Sequence, residues 1–136
     1  MRLLNSLYRI RKKAEEPCLR YDIQLDAGHF IYRAHFPGEP ITPGVCIIQI
    51  AQELLEDWLG RCVRMLVIKN AKFLNVISPL ATPTVSYVFE QIATDASNAT
   101  CTVQARVTAG DVALAKLSFT CSLGMVSERR SNVCYD

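Results

Sequence analysis

No stretch of the 136 residues approaches the ~20 consecutive apolar positions that a membrane-spanning helix needs. The first sixteen residues lack the continuous apolar core of a secretion signal, and a cytoplasmic chain is expected. The six cysteines, at 18, 46, 62, 101, 121 and 134, form no C-x-x-C pair. Most lie in apolar or alternating segments, where a free thiol packs as a small core residue. A reduced chain without a disulfide framework or metal site is therefore expected. Neither charge sign dominates: 15 basic residues face 13 acidic ones, a net +2. With no basic-aromatic pattern either, a nucleic-acid module is excluded. The basic cluster Arg9, Arg11, Lys12 and Lys13 reads as the solvated end of a short helix, ahead of a docking patch for an acidic partner.

What remains is a chain with half its residues hydrophobic and 21% charged, the balance of a globular fold. Its length suits one domain, able to bury about two-thirds of its unfolded surface. We read residues 1–136 as that domain, with 1–16 as an N-terminal helical extension and 127–136 as a frayed tail. No repeat or linker divides it.

Period-two alternation marks strands over Arg20–Ala27, Thr84–Ile92 and Thr100–Thr108. His29–Ala34 reads as a further extended segment, with His29 a strand-surface or core residue. Val63–Lys69 and Lys72–Ile77 are rich in β-formers, ended by Ser78-Pro79. Ala109-Gly110-Asp111 supplies a tight turn into a last strand with Ala113, Ala115, Leu117, Phe119 and Cys121 on one face. Five or six strands, mostly hairpin-joined, with one long early helix imply an α+β fold in which the sheet covers that helix.

Glycine and proline are sparse, six of each, yet five of these twelve fall in the ten residues His35-Phe36-Pro37-Gly38-Glu39-Pro40-Ile41-Thr42-Pro43-Gly44. That density excludes helix and dictates a rigid loop, with a histidine at its entrance. Thr42 as N-cap and Pro43 at the first helical position would start a helix running over about 43–59, closed by Gly60. At 100° per residue, Gln52, Glu53, Glu56 and Asp57 fall within an arc of about 140° centred near Gln49, and read as a solvated stripe. The first turn and a half is apolar all round. This half must be enclosed by the sheet plus a partner chain or a ligand channel. Cys46 within it reads as packing.

The motif His35-Phe36-Pro37-Gly38-x-Pro40-Ile41-x-Pro43-Gly44-Val45 resembles the signature of the hotdog-fold 3-hydroxyacyl-[acyl-carrier-protein] dehydratases, the FabA/FabZ type. Ala71-Lys72-Phe73 with Pro79, and the turn at Gly110-Asp111, are similar to later parts of that family's pattern, so the resemblance spans roughly residues 18 to 123. It implies an antiparallel sheet wrapped around the helix, and a homodimer or a larger assembly such as a trimer of dimers. It implies dehydration of (3R)-hydroxyacyl thioesters, carried by acyl carrier protein or CoA, to trans-2-enoyl thioesters in fatty-acid or related lipid or polyene biosynthesis, without a cofactor. It also implies roles: His35 as base, its ring oriented by the Ile41 carbonyl, with the Gly44 and Val45 amides on the thioester carbonyl. The family's acid position falls on residue 49, which is Gln49.

A glutamine can hold a hydroxyl but cannot give up a proton as a carboxylic acid does. Two further functions therefore stand beside the dehydratase: a non-catalytic acyl-binding subunit that partners an active dehydratase, and an acyl thioesterase. Protonated His35 returning its proton to the leaving hydroxyl is one remedy for Gln49; Glu53, one turn on, is a second.

Overall fold

The computed structural model describes residues 2–35 and 38–126, excluding the side chains of His35, Met125 and Val126. Among them, six strands make one antiparallel sheet around a single long helix. The strands are β1 (Tyr8–Ala14), β2 (Leu19–Leu25), β3 (Arg61–Phe73), β4 (Thr84–Asp95), β5 (Thr100–Ala109) and β6 (Val112–Val126). Their order across the sheet is β1-β2-β4-β5-β6-β3, with every neighbouring pair antiparallel. This is the hotdog arrangement that the loop motif implied. The helices are the short α1 (Phe30–His35) and the central α2 (Gly44–Leu59).

Alternation dictates which face of the sheet is buried. Tyr21 of β2 pairs with Tyr87 of β4, Phe89 with Ala105 of β5, and Cys101 with Cys121 of β6, all six of them buried. On α2 the opposing face is Ile47, Ile50, Ala51, Leu54 and Leu55, in the same apolar cluster. The Tyr87 hydroxyl donates to the Ile47 carbonyl at 2.8 Å, so even the polar tip of this core residue is satisfied. α2 ends at Gly60, whose φ of 68° is the left-handed cap and whose N–H reaches the Glu56 carbonyl at 2.8 Å.

Four expectations are corrected. The N-terminal segment is not a helical extension: Tyr8–Ala14 is an edge strand, paired with β2 from Tyr8↔Leu25 to Ala14↔Arg20. Its basic residues occupy the exposed positions around buried Tyr8 and half-buried Ile10, a strand pattern that the run of charge disguised. The stretch after β2 is not extended. Asp26 Oδ1 accepts the Gly28 N–H at 2.8 Å, the chain turns, and α1 follows with Ile31 and Tyr32 inward. His29 caps that helix, its Nδ1 accepting the Ile31 N–H at 3.1 Å. The cap of α2 lies one residue later than expected: Pro43 is the N-cap, without a side-chain bond, because the Thr42 hydroxyl pairs with the Tyr32 hydroxyl at 3.0 Å. Finally, Cys62 is disulfide-bonded, whereas Cys18, Cys46, Cys101 and Cys121 are free thiols. The tail at 127–136 lies outside the described residues.

The two edges of the sheet differ in chemistry. β1 presents Arg9, Arg11, Lys12 and Lys13, the charge that discourages further strand pairing. β3, thirteen residues long, leaves Leu66, Val67 and Ile68 about half exposed.

Candidate active site

The loop and the start of α2 set the first part of the site. The Pro43 carbonyl takes the N–H groups of Cys46 at 3.0 Å and Ile47 at 3.1 Å. The Gly44 and Val45 N–H groups precede that first intrahelical bond, and no acceptor within the helix exists for them. They point from the positive end of a sixteen-residue helix, where an oxyanion is favoured. The ring of Phe73, which ends β3, packs on the helix start: a Cβ on Gly44 would lie 2.9 Å from its Cζ. Ile41 is half-buried in the extended stretch before it. His35 is the last residue of α1; its side chain lies outside the described residues.

A cavity of about 580 Å³ runs along α2 beyond that start. Val45, Ile48, Met65 and Ile68 give it apolar walls, and Gln49 and Glu53 lie on its helix side. The structure thus brings Val45 and Gln49 to one cavity, while Gly44 and Ile41 stay outside its lining.

Glu53 is not a solvated stripe residue. It is 3% exposed, and four donors converge on its carboxylate. The Leu3 N–H and the Gln49 Nε2 reach Oε2 at 2.7 and 2.9 Å; the Leu4 N–H and the Tyr8 hydroxyl reach Oε1 at 2.8 and 3.0 Å. Glu56, 7% exposed, accepts from the Val63 N–H at 3.0 Å and pairs with Arg2 at 3.0 Å. Asp57 accepts from the Tyr21 hydroxyl at 2.7 Å. Glu53 and Glu56 therefore anchor residues 2–8 and the start of β3 instead of facing water, while Asp57 stays exposed and holds Tyr21 of β2. Burial first, and the Glu53 charge second, push the Tyr8 phenol far above its ordinary pKa. The Cys46 thiol is raised for the same two reasons, which suits a packed and unreactive group.

Sequence reasoning missed the burial of Glu53 and Glu56, which it read as a solvated stripe. The available signal was the leucine-rich start, Leu3, Leu4 and Leu7, which must pack somewhere and covers the face on which these carboxylates lie. Among the described residues no cluster of His, Cys, Asp and Glu could hold a metal ion, and no helix is long and apolar enough to cross a membrane.

Comparison with known proteins bears on this geometry. The ApeI-like family model, described as ApeI dehydratase, matches residues 11–111. A 3-hydroxyacyl-[acyl-carrier-protein] dehydratase FabZ of Fusobacterium nucleatum is 43% identical over 53 residues, which span 35% of this chain and 38% of that enzyme. Among solved structures, the dehydratase heterocomplex ApeI:P of Xenorhabdus doucetiae superposes with a TM-score of 0.57 at 19% identity, over 83% of this chain and 96% of that one. The (R)-hydratase of A. caviae involved in PHA biosynthesis gives 0.57 at 14% identity, over 85% and 97%. The thioesterase HI1161 of Haemophilus influenzae gives 0.59 at 16%, over 92% and 84%. At these identities the structural likenesses establish the fold.

Proposed function

The chain belongs to the ApeI-like dehydratase family, and from that premise we propose that it dehydrates (3R)-hydroxyacyl thioesters, carried by acyl carrier protein or CoA, to trans-2-enoyl thioesters. The observation that carries this reading is the cavity of about 580 Å³ along α2, whose lining brings together Val45 of the helix start and Gln49, with Ile48, Met65 and Ile68 as its apolar part.

The reaction removes a weakly acidic proton α to a thioester carbonyl and expels the β-hydroxyl. His35 takes the α-proton, its ring oriented by the Ile41 carbonyl; a neutral imidazole has a basicity suited to this near neutral pH. Electron density moves to the carbonyl oxygen, which accepts hydrogen bonds from the Gly44 and Val45 amides. When the enolate collapses, the Cα–Cβ double bond forms and the Cβ–O bond breaks. The imidazolium of His35 returns its proton to the departing oxygen, which leaves as water. Gln49 holds that oxygen by hydrogen bonding. This sequence balances without a cofactor and leaves His35 as both base and acid.

The exposed Leu66–Ile68 run on the β3 edge supports pairing of two copies, and its residue Ile68 also walls the cavity, so a second copy would close the site. A second reading has its own support: Gln49 donates to Glu53 and supplies no acid, so this chain would bind acyl groups as the subunit of an active dehydratase. The Xenorhabdus doucetiae protein of like fold is a dehydratase heterocomplex, ApeI:P. Enoyl absorbance during incubation with 3-hydroxyacyl pantetheine, CoA and acyl-carrier-protein thioesters separates the two. Turnover by the chain alone supports the enzyme; turnover only after Gln49→Glu, or only with a partner, supports the subunit.

A further inference from the structure

Glu53 is a buried carboxylate that the reaction above does not use, and its surroundings are unusually constrained. Three of its four donors belong to the N-terminal segment: two are backbone amides, of Leu3 and Leu4, and the third is the hydroxyl of the fully buried Tyr8. These three hold the carboxylate in place from a part of the chain about fifty residues away. The fourth donor is Nε2 of Gln49, one turn back on α2 and on the cavity wall.

We propose that Glu53 is the positioning residue of this site, fixing the Gln49 amide with its nitrogen turned along the helix and so deciding what Gln49 offers the substrate hydroxyl. This rests on the role assigned to Gln49 above. A primary amide can present either oxygen or nitrogen, and the two ends exchange by a half-turn of the last torsion. Against Glu53 the exchange is forbidden, because a flipped Gln49 would set its carbonyl oxygen against a carboxylate oxygen with no proton between them. Replacing Glu53 by glutamine relaxes that restriction: its NH2, placed where Oε2 now stands, could donate to a flipped Gln49 carbonyl, at the cost of the acceptor that the Leu3 N–H now has. The N-terminal segment thereby becomes part of the site, since it supplies the donors that immobilise Glu53.

The test has two arms on the full chain. In the first, the side-chain amide of Gln49 is followed by ¹H–¹⁵N NMR, assigned through its own spin system. One Nε2 proton is expected downfield of an exposed glutamine in the parent, and the shift is expected to vanish in Glu53→Gln. In the second, dehydration is measured for the parent, Glu53→Gln, Gln49→Ala and the double variant. Glu53→Gln is expected to lower kcat by ~10- to 100-fold with less change in KM, as misplacement of a positioning group does. In the Gln49→Ala background the same change should cost less than ~2-fold, because coupled residues are not additive. Equal losses in both backgrounds would mark Glu53 as merely structural and overturn the proposal. So would a Gln49 amide that resonates as an exposed one in the parent. If the parent shows no dehydration, the dehydratase reading fails, and the NMR arm alone decides the role of Glu53.

Discussion

Oε2 of Glu53 stands 2.9 Å from Nε2 of Gln49 and 2.7 Å from the Leu3 backbone nitrogen, joining the cavity wall to the first residues of the chain through one buried oxygen. α2 is therefore held on two sides. The sheet takes its apolar face, and the N-terminal segment takes Glu53 and Glu56.

Removing that carboxylate is expected to cost stability. Glu53→Ala leaves the Leu3 and Leu4 amides and the Tyr8 hydroxyl without their acceptor in a buried setting, and an orphaned buried donor costs ~1–3 kcal/mol. Urea unfolding should show a loss of about 3–5 kcal/mol after partial relaxation. Tyr8→Phe, which removes one donor and leaves the carboxylate three, should lose only about 1 kcal/mol. Equal losses for the two variants would contradict the four-donor arrangement.

Alkaline pH should unfold the protein cooperatively. Burial raises the phenols of Tyr8, Tyr21, Tyr32 and Tyr87 above their ordinary value, aided at Tyr21 by its bond to Asp57 and opposed at Tyr32 by its bond to Thr42. A raised folded pKa favours the neutral phenol, so this stabilisation is complete below about pH 10 and declines as pH rises beyond it. Tyrosinate absorbance and far-ultraviolet circular dichroism, titrated together, are expected to change in one transition. Four phenols ionising near pH 10 while the dichroism stays native would refute the burial.

Much of this architecture was legible in the residues. The Pro/Gly loop and the apolar run after it marked α2 over about 43–59, against an observed Gly44–Leu59. The alternation at Thr100–Thr108 marked β5 to within one residue. β1 was hidden because four cations share seven positions, which leaves too few apolar residues for a visible period. α1 was hidden because six residues are fewer than two turns, and its start depends on the Asp26 turn and the His29 cap. The burial of Glu53 could not be read locally at all. Its partners are 45 to 50 residues away for Tyr8, Leu4 and Leu3, and helical periodicity describes only which side of α2 the residue occupies, not what covers it.

The β3 edge should govern assembly. Val67 is 52% exposed in the apolar run Leu66–Ile68. Val67→Lys places a charge where two edges would meet, a device that blocks strand pairing. Light scattering behind size exclusion should show a dimer or larger species for the parent and a monomer for the variant, with unchanged circular dichroism. A monomeric parent would contradict assembly through this edge.

The proposed reaction stands on His35 as the base that dehydrates a 3-hydroxyacyl thioester. Its most direct measurement is the initial rate of enoyl formation from a (3R)-hydroxyacyl-acyl-carrier-protein by the chain alone, parent against His35→Ala. Loss of the general base is expected to lower kcat by ~10²–10⁴-fold with the fold intact. An active parent whose rate is unchanged by His35→Ala would contradict the account.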